Sequence, residues 1–211
     1  MSTRAQIMTE LAAIFDRPKS SIDAVDRVLT DAGLRTRAAR GRAAQAMSAE
    51  DFANVTMGLL GGWSLRETPM MVERLGALEL RGGEMVELDL EEDGEMIGVR
   101  MSADLTAHQI LESSLSILFP RKQLPMARTL TGALASLIEH TPALTDLETC
   151  QLTLYPDTDG ALLAFRLGPR RYELRFGAGD RLPQAGIFHR ILVLRTVGLR
   201  RIAGVFHGQN G

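Results

Sequence analysis

Four arginines, Arg35, Arg37, Arg40 and Arg42, stand close together in the stretch 32–47, which contains no acidic residue. Guanidinium groups stay charged at any physiological pH and present a planar fork of donors that matches a phosphate. Arginine at this density therefore points to phosphate recognition, and the flanking residues suggest how it is held. Gly33 is suited to end a helix in the left-handed conformation, and Ser48-Ala49-Glu50-Asp51 has the pattern of a helix N-terminus. The segment between them reads as a basic loop beside a helix start, whose free amides would offer a further anion site. Arg40-Gly41-Arg42 has the slim character that lets paired guanidinium groups enter a narrow minor groove.

A helix-turn-helix variant is the alternative geometry, with Gly33 in the turn and residues 34–46 as the recognition helix. Gly41 would weaken that helix, and Leu29 stands four positions before the turn glycine where a small residue is usual. The loop is the preferred reading. Its rivals are a plain soluble connector and a surface that pairs with acids in the same or a neighbouring chain.

The acids for such pairing exist. The net charge is −2, but its distribution is uneven. Glu73, Glu79, Glu84, Glu87, Asp89, Glu91, Glu92, Asp93 and Glu95 crowd one segment, with Glu87–Glu95 on an expected hairpin edge. Towards the C-terminus arginine dominates again, and Arg166, Arg170, Arg171 and Arg175 would form one positive sheet face if they alternate on strands. Of the 24 basic residues only Lys19 and Lys122 are lysine, a bias typical of high-GC coding.

Other chemistry finds little support. His108, His140, His189 and His207 are scattered, and no Gly-x-Ser-x-Gly elbow accompanies them. No zinc, calcium-loop or Walker pattern occurs, and Asp157-Thr158-Asp159-Gly160 reads as a turn. The single cysteine, Cys150, excludes an intramolecular disulfide and reads as a buried strand residue. These features predict neither enzymatic activity nor a cofactor.

The elements that must position the arginines follow from periodicity. Helices are predicted over Thr3–Phe15, from Ser20 or Ser21 to Ala32, after Ser48 to Leu60, and over Ser64–Leu75 with Pro69 as a kink or a new start. The period then shortens: Met85–Leu90 and Met96–Met101 flank the turn Glu92-Asp93-Gly94. Two more helices are predicted, one capped by Thr106 and Gln109 and one over Pro125–His140. Strands Cys150–Tyr155, Ala161–Leu167, Tyr172–Phe176 and Ile187–Leu194 follow, with a last helix over Val197–Phe206; Ile187–Val205 as one long helix is the alternative. The expected fold is α+β: an N-terminal module of three or four helices over residues 1–78, then a mixed α+β domain with antiparallel hairpins and packed helices over residues 79–211. No run of roughly 18 apolar residues and no signal-peptide pattern occurs, so a cytoplasmic location is expected.

Asp31-Ala32-Gly33-Leu34, Arg40-Gly41-Arg42-Ala43-Ala44 and Met47-Ser48-Ala49-Glu50-Asp51-Phe52-Ala53 together resemble the N-terminal part of proteins from prophages and mobile elements of high-GC bacteria. The resemblance implies a phage setting, as a regulator or a packaging or assembly factor, and assigns no residue a role. The combined expectation is a DNA-binding protein acting through Arg35, Arg37, Arg40 and Arg42, whose α+β domain self-associates or binds a protein. The alternative is a non-enzymatic phage-related assembly or host-interaction protein.

Overall fold

A computed structural model describes residues 4–37, 47–90, 96–112, 128–141, 147–177 and 192–208. The first helix, α1 (Arg4–Phe15), places Ile7, Met8 and Leu11 in the core. Pro18 opens α2 (Lys19–Asp31), and Gly33, at φ +77°, turns the chain out of it as expected. The next helix, α3 (Ala49–Gly61), begins at Ser48 with a complete capping box. Nearly every side chain of α3 is buried, which makes it the central helix. Pro69 is a new start, not a kink: α4 (Thr68–Gly76) carries it in its first turn, and a separate Ser64–Glu67 turn precedes the helix.

The change of period after residue 78 is real. Strands β1 (Leu80–Leu90) and β2 (Met96–Thr106) pair antiparallel and are longer than the sequence pattern indicates; the turn at 91–95 lies outside the described residues. Thr106 and Gln109 exchange capping bonds at the start of α5 (Ala107–Glu112). The next described helix, α6 (Leu130–His140), starts where the Thr129 hydroxyl accepts the Gly132 amide. Then come β3 (Leu147–Tyr155), a 3-10 turn at Pro156–Thr158, β4 (Gly160–Leu167) and β5 (Arg170–Gly177). The chain closes with β6 (Leu192–Arg195) and α7 (Thr196–His207), so the reading of Ile187–Val205 as one helix is overturned.

All six strands join one antiparallel sheet in the order β2-β1-β5-β4-β3-β6. Register assigns every residue a face, because partners directly opposite point the same way. Leu105, Gly83, Leu174, Leu163, Leu152 and Leu194 form one cross-sheet row; Ala103, Met85, Tyr172, Phe165 and Cys150 form the next. These apolar rows face the helices, with Phe165 and Tyr172 stacked at 5.2 Å. Gly83 has no room for a side chain, since a Cβ there would lie 2.4 Å from the Glu173 carbonyl oxygen.

Residue 78 marks where helices give way to strands, but the core runs across it. One hydrophobic cluster holds Leu11, Phe52 and Leu59 together with Leu137, Leu163 and Ile202. Phe52 meets Phe206 edge-on at 5.4 Å, a geometry worth about 0.5–1.5 kcal/mol beyond area burial. The Thr131 hydroxyl donates to Asn54 Oδ1 (3.2 Å), and Arg74 reaches the β3–β4 turn through the Pro156 carbonyl (2.9 Å) and Asp159 (3.0 Å). The helices of 1–78 thus bury their apolar faces against the segment that follows, as well as against one another. Among the described residues no helix is long and apolar enough to cross a membrane.

Candidate functional site

The arginine segment is anchored at both ends by α2 and α3. Residues 34–37 are not helical, so a recognition helix starting at residue 34 is overturned. The Leu34 carbonyl accepts from Asn54 Nδ2 (2.7 Å). One carboxylate then ties the two strands of chain together. Asp51 accepts the Thr36 amide on Oδ1 (2.7 Å) and the Ser48 amide on Oδ2 (2.9 Å), while its own amide donates to Ser48 Oγ (3.1 Å). The bond to Ser48 is the capping box legible in the sequence. The bond to Thr36 crosses fifteen positions of chain and ties the residues after α2 to the first turn of α3.

The four arginines do not share one environment. Arg35 is the correction: only 6% exposed, its Nε lies 2.6 Å from Asp26 Oδ1 on α2, and its Nη1 donates to Thr30 Oγ1 (3.3 Å). Thr30 Oγ1 in turn donates to the Asp26 carbonyl (2.7 Å). A guanidinium already desolvated and paired in this way is a structural anchor, unavailable to a phosphate. Along the chain Arg35 looks like its neighbours, because an i, i+9 contact between a helix and the residues after its stop leaves no periodic signal. Arg37 is 74% exposed and, among the described residues, pairs with Asp31 at 3.7 Å. Arg40 and Arg42 lie outside the described residues.

A second expectation changes as well. The N-terminus of α3 is already supplied with negative groups: Ser48 takes the Asp51 amide, and Glu50 and Asp51 occupy the first turn. Burial, reinforced by the Asp51 charge, raises the Glu50 carboxyl above its usual range. An added phosphate would meet these acids, so any anion at the loop must be held by arginines alone.

The C-terminal arginines are divided too. Arg166, Arg171 and Arg175 share the outer sheet face, but Arg170 has the register of the helix-covered face and pairs with Glu87 (3.6 Å). On the outer face Arg171 pairs with Glu173 (3.0 Å) and Arg166 with Glu148 (3.1 Å). Asp104, Glu84 and Glu173 form a carboxylate row across β2, β1 and β5, between the row of Arg171 and that of Arg175. The face is striped in sign instead of uniformly positive. Among the described residues, no group of three or more His, Cys, Asp or Glu could hold a metal ion.

Cys150 is buried on β3, where desolvation pushes its thiol up to about 12 and keeps it protonated. No family model, curated protein or solved structure matches the chain.

Proposed function

We propose that the protein binds nucleic acid through the loop from Arg37 to Met47, with Arg37, Arg40 and Arg42 on the phosphates. The observation that supports this reading is the clamp at Asp51, which joins Thr36 to Ser48, the residues on either side of the acid-free arginine segment. Each guanidinium on a phosphate displaces condensed counterions, so affinity comes from the backbone and carries little sequence information. Arg35 serves this function indirectly, by fixing the point where the loop leaves α2. The resemblance of residues 31–53 to prophage proteins supports a DNA-binding regulator or packaging factor of phage origin.

Fluorescence anisotropy with duplex DNA across a salt series tests the reading. Log affinity should fall steeply with log salt, and each of Arg37→Ala, Arg40→Ala and Arg42→Ala should make the slope shallower by about 0.9. An unchanged slope in the triple variant would remove the loop from consideration.

A separate observation favours a second reading, a phage-related assembly or host-interaction protein. Strand β2 has eleven residues, lies at the edge of the sheet and leaves Met101 46% exposed. An edge of this length offers backbone donors and acceptors to another strand. Light scattering with and without DNA separates the readings: a stable oligomer that ignores DNA fits the second only.

A further inference from the structure

The outer sheet face carries a groove of about 280 Å³ that the loop reading does not use. Its floor is Gly82, which stands between Thr106 on β2 and Arg175 on β5 in one cross-strand row. The missing side chain opens a gap in the layer that side chains otherwise fill. Asp104 forms part of the far wall, and Arg81 lines the groove from the position where β1 slips register.

Arg175 is the exception among the arginines of β4 and β5. Arg166, Arg170 and Arg171 each have a carboxylate within 3.6 Å. Arg175 is half-buried, its cross-strand neighbours are Gly82 and Leu162, and it has no ion pair among the described residues. Because it lines the groove, its guanidinium is placed to take an acceptor supplied from outside. Arg81 is held for the same task. Its Nε donates to the Gly177 carbonyl (3.3 Å), which fixes the plane of the guanidinium, and among the described residues its carboxylate contact is Glu79 at 4.0 Å.

We propose that Arg81 and Arg175 bind the phosphoryl group of a nucleotide-sized phosphate monoester across the Gly82 floor. Two forks fit a tetrahedral dianion better than a single carboxylate. Asp104, exposed and without an ion pair among the described residues, selects a ligand whose organic part carries a hydroxyl or amino donor. The phosphate belongs either to a free nucleotide or to the 5′ end of a nucleic-acid strand, which present the same group.

Calorimetric titration of the full chain with adenosine monophosphate is the test. Binding should saturate, adenosine should not bind, and inorganic phosphate should bind more weakly. Arg175→Gln should weaken adenosine monophosphate by about tenfold or more, Arg175→Lys by less, and Asp104→Asn should narrow its advantage over inorganic phosphate. Unchanged thermal melting shows that each variant is folded. The double variant Arg40→Ala, Arg42→Ala should bind adenosine monophosphate normally, so this site stands or falls apart from the loop. Tighter binding of a 5′-phosphorylated oligonucleotide than of adenosine monophosphate, lost in Arg175→Gln, supports the site with a strand end as its source; equal binding supports it with the free nucleotide. Adenosine binding as well as its monophosphate, or Arg175→Gln binding as well as the native chain, would overturn the proposal.

Discussion

At the base of the arginine loop and on the outer face of the sheet, arginine meets carboxylate under opposite conditions of solvation. Arg35 and Asp26 are both almost fully buried at 2.6 Å, whereas Arg171 and Glu173 meet at 3.0 Å with half of the arginine in water. The distances are similar but the consequences differ. Water screens the sheet pair and solvates either partner if the other is lost. At the loop base, removal of one partner strands a charge where nothing replaces its hydration. Burial, more than contact distance, therefore decides which arginines hold the fold and which remain available to a ligand.

The largest effect that can break this comparison is at Asp26. Asp26→Ala leaves Arg35 buried without its carboxylate and should cost about 3–5 kcal/mol in urea denaturation. A loss below about 1 kcal/mol would show that water reaches the pair and that the two regions are alike. Cys150 gives an independent readout: its buried thiol should resist a disulfide reagent at pH 8 in the native chain and react sooner in the variant as opening becomes more frequent.

Next in size is Asp51→Ala, which leaves the Thr36 and Ser48 amides without their acceptor. The expected cost is about 1–3 kcal/mol, with loosened DNA binding if the loop depends on a fixed base. Asp51→Asn, retaining one carbonyl oxygen, should fall between the two. Arg171→Ala, on the sheet, should change stability by no more than about 1 kcal/mol, with the change shrinking as salt is added.

The smallest effect is a pH dependence at Glu50. Its folded pKa lies above the unfolded value, so the folded chain holds that proton more tightly, and ionisation is a cost at neutral pH that disappears as pH falls through the folded pKa. Glu50→Gln should be slightly more stable than the native chain at pH 7, and the difference should close on acidification. A difference that grew towards low pH would mean that the helix dipole, not burial, governs this carboxyl.

Local signals carried much of the fold. The Ser48 cap, the Gly33 stop, the Thr106–Gln109 box and the turn at Asp157–Gly160 depend on residues within one turn of each other, so the sequence displays them directly. Strand ends were less legible, as with β1 and β2, because pairing carries a strand past its apolar stretch into Gly82 and Thr106. The candidate site was legible only as a charge pattern. Arg35, Arg37, Arg40 and Arg42 look equivalent along the chain, and no short-range feature separates Arg35 from the others.

Periodicity and capping along the chain were enough to set its class: helices first, hairpins after, and arginines gathered between two helices. Alternation and capping are local, so they survive without knowledge of neighbours. Long-range packing settles the rest: Asp26 takes Arg35, Asp51 joins Thr36 to Ser48, and Arg175 stands opposite Gly82 while Arg171 pairs with Glu173. Those outcomes depend on register and on which helix lies against which. They arise from burial shared between distant segments, and no window of sequence contains it.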